Sequence, residues 1–346
     1  MRWRRAAVAA MLLLALLAGG HFLLWRWAEA QLQQGLAQQI GIWQARGWRV
    51  THGTPERGGW PLHARLTVPT VALAGAVGPP GGVAWSAPLV VLDVALRHPH
   101  RLVVEIEGRQ LLRIGPGPAI PVRAEQARAV IPLEPGVPPD RLDLALTGLR
   151  AGPPGRQVRA AQATLSLVEQ SSPSVALTAE ALTLPPAPGG AAWALGEHIA
   201  SLALAADVLG PLSAAPDPQA RAEAWRDGGG KLVLRRLALR WGPLDLAGSA
   251  TLTLDGALQP IGTAQLRLIG QAQTLDALAA GHVVTSQAAR AAKAVLALMA
   301  QTPKAGGPPE VDVPLVLRDR VLTMGRIPLL RLPQLLWPDL VWSTAP

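Results

Sequence analysis

The pattern of apolar and polar positions changes character twice along the chain. Ala6 to Trp25 reads AAVAAMLLLALLAGGHFLLW, twenty residues without a formal charge, preceded by Arg2, Arg4 and Arg5 and followed by Arg26. At about 1.5 Å per residue a helix of that length spans roughly 30 Å, the hydrocarbon core of a bilayer, so residues 6–27 are predicted to be a transmembrane anchor. Leu32, Leu36, Ile40 and Trp43 then fall at +4, +4 and +3, one face of a juxtamembrane helix over 28–46. Gly47 stands where that helix should stop. From Leu62 the period drops to two: Leu62, Ala64, Leu66 and Val68 alternate with His63, Arg65 and Thr67, as in a strand with one buried face. Gly59, Trp60 and Pro61 precede that strand as a tight structural turn, expected to point the indole inward.

The rest of the chain repeats one theme, an alternating run followed by a glycine/proline break. Runs fall at Thr70–Ala76, Leu89–Arg97, Arg101–Ile114, Arg141–Leu146, Ala163–Glu169 and Ser174–Leu184. Breaks fall at Gly78–Gly82, Gly115–Pro118, Pro135–Pro139, Gly152–Gly155 and Pro185–Gly190. Strands joined by turns and not by long helices predict an antiparallel meander. The fold class is therefore mainly β (α+β): a transmembrane helix, then a long, curved antiparallel meander with a few covering helices. Residues 1–5 form one flank of the membrane segment and 47–346 one β-rich domain, with a possible sub-boundary near 185–192. Helices are expected at Asp217–Arg226 and Thr285–Gln301, the latter with Ala288, Ala292, Val295 and Met299 on its apolar face. An extra residue at Arg235–Arg236 breaks the alternation and signals a bulge.

Leu244, Leu246, Leu252 and Leu254 have the alternation to line one continuous face, expected to run across two paired strands. A packed sandwich would fill such a face with large side chains from an opposing sheet. This chain offers chiefly alanine, valine and leucine, with one phenylalanine and no tyrosine. The four leucines are therefore candidate lipid-facing residues of a groove for acyl chains. The alternative is a closed β core in a structural or assembly partner of another envelope protein.

The three arginines before the anchor place the N-terminus in the cytoplasm and the bulk of the chain across the inner membrane, in the periplasm. A cleaved signal peptide ending near Ala28-Glu29-Ala30 is the competing reading. Trp25 and Trp27 sit where an aromatic belt is expected. Trp337 and Trp342 lie in a proline-punctuated tail expected to pack on the sheet.

A net charge of +9 and a pI near 11.3 invite a nucleic-acid reading, but 29 of the 32 basic residues are arginines scattered along the chain. With few aromatics and abundant alanine, glycine and proline, this is the codon bias of a GC-rich genome. No nucleic-acid partner is expected; the positive excess suits anionic lipid head groups. The absence of cysteine excludes disulfides, thiolate metal sites and thiol nucleophiles. Gly230-Lys231 lacks the remaining residues of a phosphate loop, and neither a Gly-x-Ser-x-Gly elbow nor His-Glu-x-x-His occurs. His98-Pro99-His100 and the pair Glu105, Glu107 are the nearest approaches to a metal or acid/base site. A turn and a solvated strand face explain them better. No enzyme activity, cofactor or metal is expected.

The order Trp225, Gly228-Gly229-Gly230, an alternating strand, Trp241-Gly242-Pro243-Leu244, the strand end Thr251-Leu252-Thr253-Leu254-Asp255-Gly256, then Gln259-Pro260-Ile261-Gly262 is similar to the bacterial envelope family called domain of unknown function 2125. The anchor, the Gly59-Trp60-Pro61 turn (Gly-Phe-Pro in the family pattern) and Ile327-Pro328-Leu329 agree. The resemblance covers nearly the whole chain and implies a membrane-anchored envelope protein. More distantly the cadence resembles AsmA-like envelope proteins, which implies a curved sheet lining a groove for lipid.

Overall fold

A computed structural model describes residues 2–75, 82–133, 140–169, 172–187, 192–213, 217–301 and 307–337, with side chains from residue 11 onward. The anchor and the juxtamembrane segment form one uninterrupted helix, α1 (Arg2–Ala45). Nothing between Trp25 and Leu32 breaks helical backbone, so the two predicted segments merge. Gly47, at φ +84°, turns the chain out of it.

Among the described residues eighteen strands follow. The first five are β1 (Trp48–Thr51), β2 (Glu56–Gly58), β3 (His63–Gly75), β4 (Val83–Ala95) and β5 (Arg101–Glu107). Then come β6 (Gln110–Ile114), β7 (Ile120–Arg123), β8 (Gln126–Pro132), β9 (Arg141–Ala151) and β10 (Val158–Val168). β11 (Ser174–Thr183), β12 (His198–Leu209), β13 (Lys231–Trp241), β14 (Leu244–Leu254) and β15 (Pro260–Ile269) continue the series. β16 (Glu310–Arg318), β17 (Val321–Met324) and β18 (Ile327–Arg331) end it. Every pairing is antiparallel. A single ribbon runs β3-β4-β5-β8-β9 and then strand by strand to β18. β1 and β2 flank β3, and β6–β7 bridge β4 to β9.

Several predicted runs need adjustment. The predicted run at Thr70–Ala76 falls, through Gly75, in the second half of β3, whose backbone stays extended on both sides of Thr70 (φ +50°); Ala76 lies outside the described residues. Arg101–Ile114 divides in two because Gly108, at φ +83°, turns the chain. The extra residue at Arg235–Arg236 is a bulge: the β13–β14 register slips between Leu234 and Leu237. Such bulges bend a sheet and raise its twist. Segment 185–192 lies in the connection between β11 and β12, which pair from Ser174↔Asp207 to Thr183↔His198. The predicted breaks at 78–81 and 135–139 and the tail residue Trp342 lie outside the described residues.

Three helices join the ribbon. Asp217 caps α2 (Pro218–Asp227), accepting from the backbone N–H groups of Gln219 and Ala220 at 3.2 and 2.9 Å. α3 (Gln271–Ala280) was not predicted; it starts at Gly270, in the left-handed conformation at φ +76°. α4 (Ser286–Met299) is capped by Thr285. Its inward face is rotated one residue from the predicted one. Met299, as expected, packs on the sheet, but it is joined there by Leu296, and Ala289 is the buried alanine, whereas Val295 is 43% exposed. Leu296 offers more apolar area than Val295, and Lys293 pairs with Asp276 of α3, which fixes the rotation.

Tryptophans clip the loops to the sheet, each indole N–H donating to a backbone carbonyl. Trp193 donates to Pro185 O at 2.7 Å, Trp225 to Leu209 O at 2.9 Å, Trp241 to Gly196 O at 2.8 Å and Trp337 to Leu258 O at 3.1 Å. Gln259 clamps the C-terminal tail, giving to Leu335 O at 3.0 Å and accepting from Leu335 N at 2.8 Å.

Candidate functional site

Directly paired residues in an antiparallel sheet point to the same side. Their registers can therefore be followed from strand to strand. One line passes through Leu66, Leu92, Val104, Ala129, Leu144, Leu165, Leu177, Leu204, Leu237, Gly248, Leu266 and Val313. It crosses twelve strands without meeting a polar side chain. The neighbouring line, Ala127, Leu146, Ala163, Ala179, Leu202, Leu239, Leu246, Leu268 and Val311, is equally apolar.

The opposite face is polar and carries ion pairs: Arg65–Asp93 at 2.8 Å, Arg235–Asp207 at 2.6 Å and Arg267–Asp312 at 3.0 Å. On the same face, a hydrogen bond from Arg141, aided by one from Ser166, holds the Asp143 carboxyl below its ordinary range. The ribbon is amphipathic along its whole length.

What covers the apolar face differs along the ribbon. Over β3–β4, Leu32 and Leu36 of α1 pack onto a cluster in which Leu66 is 0% and Val68 3% exposed. Over β16, Leu296 and Met299 of α4 seal Val311 (0%), Val313 and Leu315. Between these ends the cluster over β9–β12 is built from sheet residues alone, with alanines 160, 163 and 179 and Leu182 as its buried members. Leu144, Leu165, Leu177, Leu204, Leu237 and Leu266 are only partly buried. Among the described residues, the β9–β12 cluster includes no helix side chain, and these leucines keep part of their surface in solvent.

Arg46, at the end of α1, pairs with Glu169, just past β10. β3 and β10 are five spacings apart, about 24 Å in a flat sheet at ~4.8 Å per strand. The same helix packs on β3, so α1 and the turn after it link the first strands of the ribbon to the end of β10.

Leu244, Leu246, Leu252 and Leu254 all lie on β14, a correction to the expectation that they would span two paired strands. The small-residue stretch after Leu246 does not turn; the extended backbone continues through Gly248-Ser249-Ala250. All four leucines are partly buried and share the apolar face. Between them sit Gly248 and Ala250, and across the pair sit Gly262 and Ala264. A Cβ on Gly262 would come within 2.0 Å of Thr251 O, so only glycine fits there. The result is a floor of small residues flanked by leucines. Sequence reading located the β14 leucines but missed their counterparts on β9–β13. Those belong to separate short runs whose register no local pattern reveals.

The turn residues are placed differently from the expectation. Gly59, at φ +93°, and Pro61 do form a turn before β3, but the Trp60 indole is 49% exposed and does not enter the core. It packs against α1, with ring centroids 5.2 Å from His21, 5.6 Å from Phe22 and 5.3 Å from Trp25. The core beneath the turn is already filled by Ala64 and Leu66.

His98 and His100 are exposed in the β4–β5 turn, and Glu105 lies on the polar face 4.0 Å from Arg128. Among the described residues no group of three or more His, Asp or Glu side chains is arranged to hold a metal ion. A separate cavity of about 240 Å³ lies where α2, the Gly256–Gln259 turn and the tail residues Leu335–Trp337 meet. Of its polar side chains, Gln259 is engaged in the tail clamp and Gln219 donates to Glu223.

α1 contains one stretch, Met11–Ala45, long and apolar enough to cross a membrane, and its most apolar window is unburied by the rest of the protein. No curated protein and no solved structure matches the chain. A family described as uncharacterized protein conserved in bacteria, DUF2125, matches residues 25–333, from the end of the apolar segment through β18. The chain belongs to the DUF2125 family.

Proposed function

We propose that this protein is a non-catalytic, membrane-anchored envelope protein that binds or conducts lipid acyl chains along the apolar face of its ribbon. α1 crosses the inner membrane with its N-terminal arginines in the cytoplasm, and the ribbon stands in the periplasm. The observation that carries the reading is the contrast along one register line. Leu66 and Val313 are sealed by helices, while the leucines of β9–β13 between them are only partly buried and their cluster contains strand residues alone among the described residues. An exposed apolar face of this length is unfavourable in water, and an acyl chain lying across the small-residue floor of β14–β15 would remove it from solvent. A neutral chain suits this face, because a charge there would be desolvated without a partner.

Photo-crosslinking of the full chain to a diazirine-bearing phospholipid, followed by peptide mapping, tests the proposal. Adducts are expected on β9–β15 at apolar-face positions, and Leu252→Asp is expected to remove those near β14 in a protein that stays folded. A folded wild type that yields no adducts on this face would overturn it. A role as assembly partner has its own support in β18, a terminal strand whose Ile327, Leu329 and Leu330 are all more than half exposed. Adducts to protein at β18, with none to lipid, would favour that role.

A further inference from the structure

The first strands of the ribbon meet the membrane at a defined place, and the contacts between α1 and the Gly59–Leu62 turn mark it. We propose that this turn is a membrane-interface collar. It inserts into the head-group and upper acyl region of the bilayer that α1 crosses, and so holds the start of the apolar face against the lipid. The inference rests on α1 spanning a bilayer and is independent of what the groove carries.

The position follows from helix geometry. Met11, Leu12, Leu16 and Leu23 of α1 are 66–73% exposed, as lipid-facing side chains must be. Trp27, 60% exposed and next to Arg26, is the natural interface residue. Trp60 is wedged among His21, Phe22 and Trp25, which lie about 3–9 Å from Trp27 toward the apolar segment at roughly 1.5 Å per residue. The turn is therefore carried to the depth of the acyl boundary. Its own side chains suit that depth, with Trp60 49% and Leu62 52% exposed and both apolar.

The backbone also suits it. Irregular backbone is tolerated at membrane depth only where its polar groups are internally paired. His21 Nε2–H donates to Pro61 O at 2.7 Å, and Trp25 Nε1–H donates to His63 O at 2.8 Å. His63 N–H donates to Gly59 O at 2.9 Å and Leu96 N–H to Leu62 O at 3.0 Å. Pro61 has no N–H to leave unpaired. Four carbonyls of the turn are thus taken, two of them by side chains of the anchor itself. An ordinary solvated turn would have no use for such pairing.

Around this apolar tip the exposed charges are mainly positive, with Glu56 beside Arg57 as an acidic exception. Arg26 and Arg57 flank it, and Arg97 and Arg101 lie on the β4–β5 turn that Leu96 ties to Leu62. A ring of guanidinium groups above an apolar tip matches an anionic phospholipid surface.

The chain has no cysteine, so single-cysteine variants give unique labels. Leu16→Cys, Leu62→Cys and Gln44→Cys would carry the fluorophore NBD in the full chain, reconstituted in phosphatidylethanolamine/phosphatidylglycerol vesicles. Gln44 is exposed and about 26 Å along α1 from Trp27 at roughly 1.5 Å per residue. Phosphatidylcholine spin-labelled at a shallow acyl carbon supplies the quencher. The expected result is loss of emission at positions 16 and 62 with none at 44. Quenching at 16 alone would overturn the collar while leaving the anchor intact. No quenching at either would overturn the anchor and the collar together. Neither outcome bears on lipid in the groove, which the crosslinking experiment reads separately.

Discussion

The difference between the sealed and open parts of the apolar face can be measured by changing leucines in each. Leu66, 0% exposed, lies under Leu32 and Leu36 of α1. Leu66→Ala leaves a closed cavity, so the lost transfer free energy and the cavity term add, and destabilisation of about 3–4 kcal/mol is expected. Leu246 is partly buried between Leu239 and Leu268. The space left by Leu246→Ala is continuous with solvent, and water refills it. Only the buried fraction of the side chain is lost, about 1 kcal/mol at ~0.8 kcal/mol per methylene. Enlarging the residue sharpens the contrast. Overpacking a closed core costs about 1–3 kcal/mol, whereas Leu246→Trp on an open face should stay within about 0.5 kcal/mol of wild type, the scatter of ordinary surface changes. Urea unfolding of the full chain in detergent, followed by tryptophan fluorescence at matched m-values, reads these shifts. If Leu246→Ala were as damaging as Leu66→Ala and Leu246→Trp also unfolded the protein, an opposing layer would have to cover β14. The groove reading would then fail.

Three further changes test the fold at single points. Asp217→Ala removes the cap that accepts from Gln219 and Ala220 and should lower stability by about 1 kcal/mol in the same urea assay. Gly270→Ala forces an alanine into φ +76° with its Cβ 1.9 Å from Pro243 O; a loss above the roughly 1–3 kcal/mol of backbone strain alone is expected, with hydrogen-exchange protection falling first in α3. Asp143, whose carboxyl is held below its ordinary range, adds stability that is fully present above the unfolded-state value of about 3.9 and is lost as pH falls through the lower folded-state value. Asp143→Asn should therefore flatten the acid limb of the urea midpoint below about pH 4, by a small amount because the pair is solvent-exposed.

The elements that were legible in the sequence are those whose signal is local. The long apolar helix is a composition signal, the α2 and α4 starts are capping signals at Asp217 and Thr285, and the bulge at Arg235–Arg236 is a break in a period-two pattern. α3 was missed because QAQTLDALAA has little amphipathic contrast and follows Gly270 without a side-chain cap. The face of α4 was misjudged by one residue because alanines at 288, 289, 291 and 292 give no preference. The choice was made by Leu296 and by the Lys293–Asp276 pair, which depends on the neighbouring helix. Trp60 was expected inside because a tight turn set by Gly59 and Pro61 would point the indole inward; its actual partners, His21, Phe22 and Trp25, are about forty residues away.

Register lies beyond local reading in a different way. Each strand announces which of its residues share a face, but nothing in Leu142, Leu144 and Leu146 says that they line up with Ala163, Leu165 and Leu167. The line from Leu66 to Val313 exists only because eleven successive pairings preserve phase, and bulges are what preserve it. The β12–β13 and β13–β14 registers both slip near Arg235–Arg236. The two slips meet on β13, so the extra residue there is absorbed by both neighbours and Leu237 stays on the same side as Leu204 and Gly248. A one-residue shift would otherwise have turned the apolar face outward from that strand to the end of the ribbon. The bulge that the sequence reveals as a local irregularity is thus what keeps the apolar face continuous across the middle of the protein.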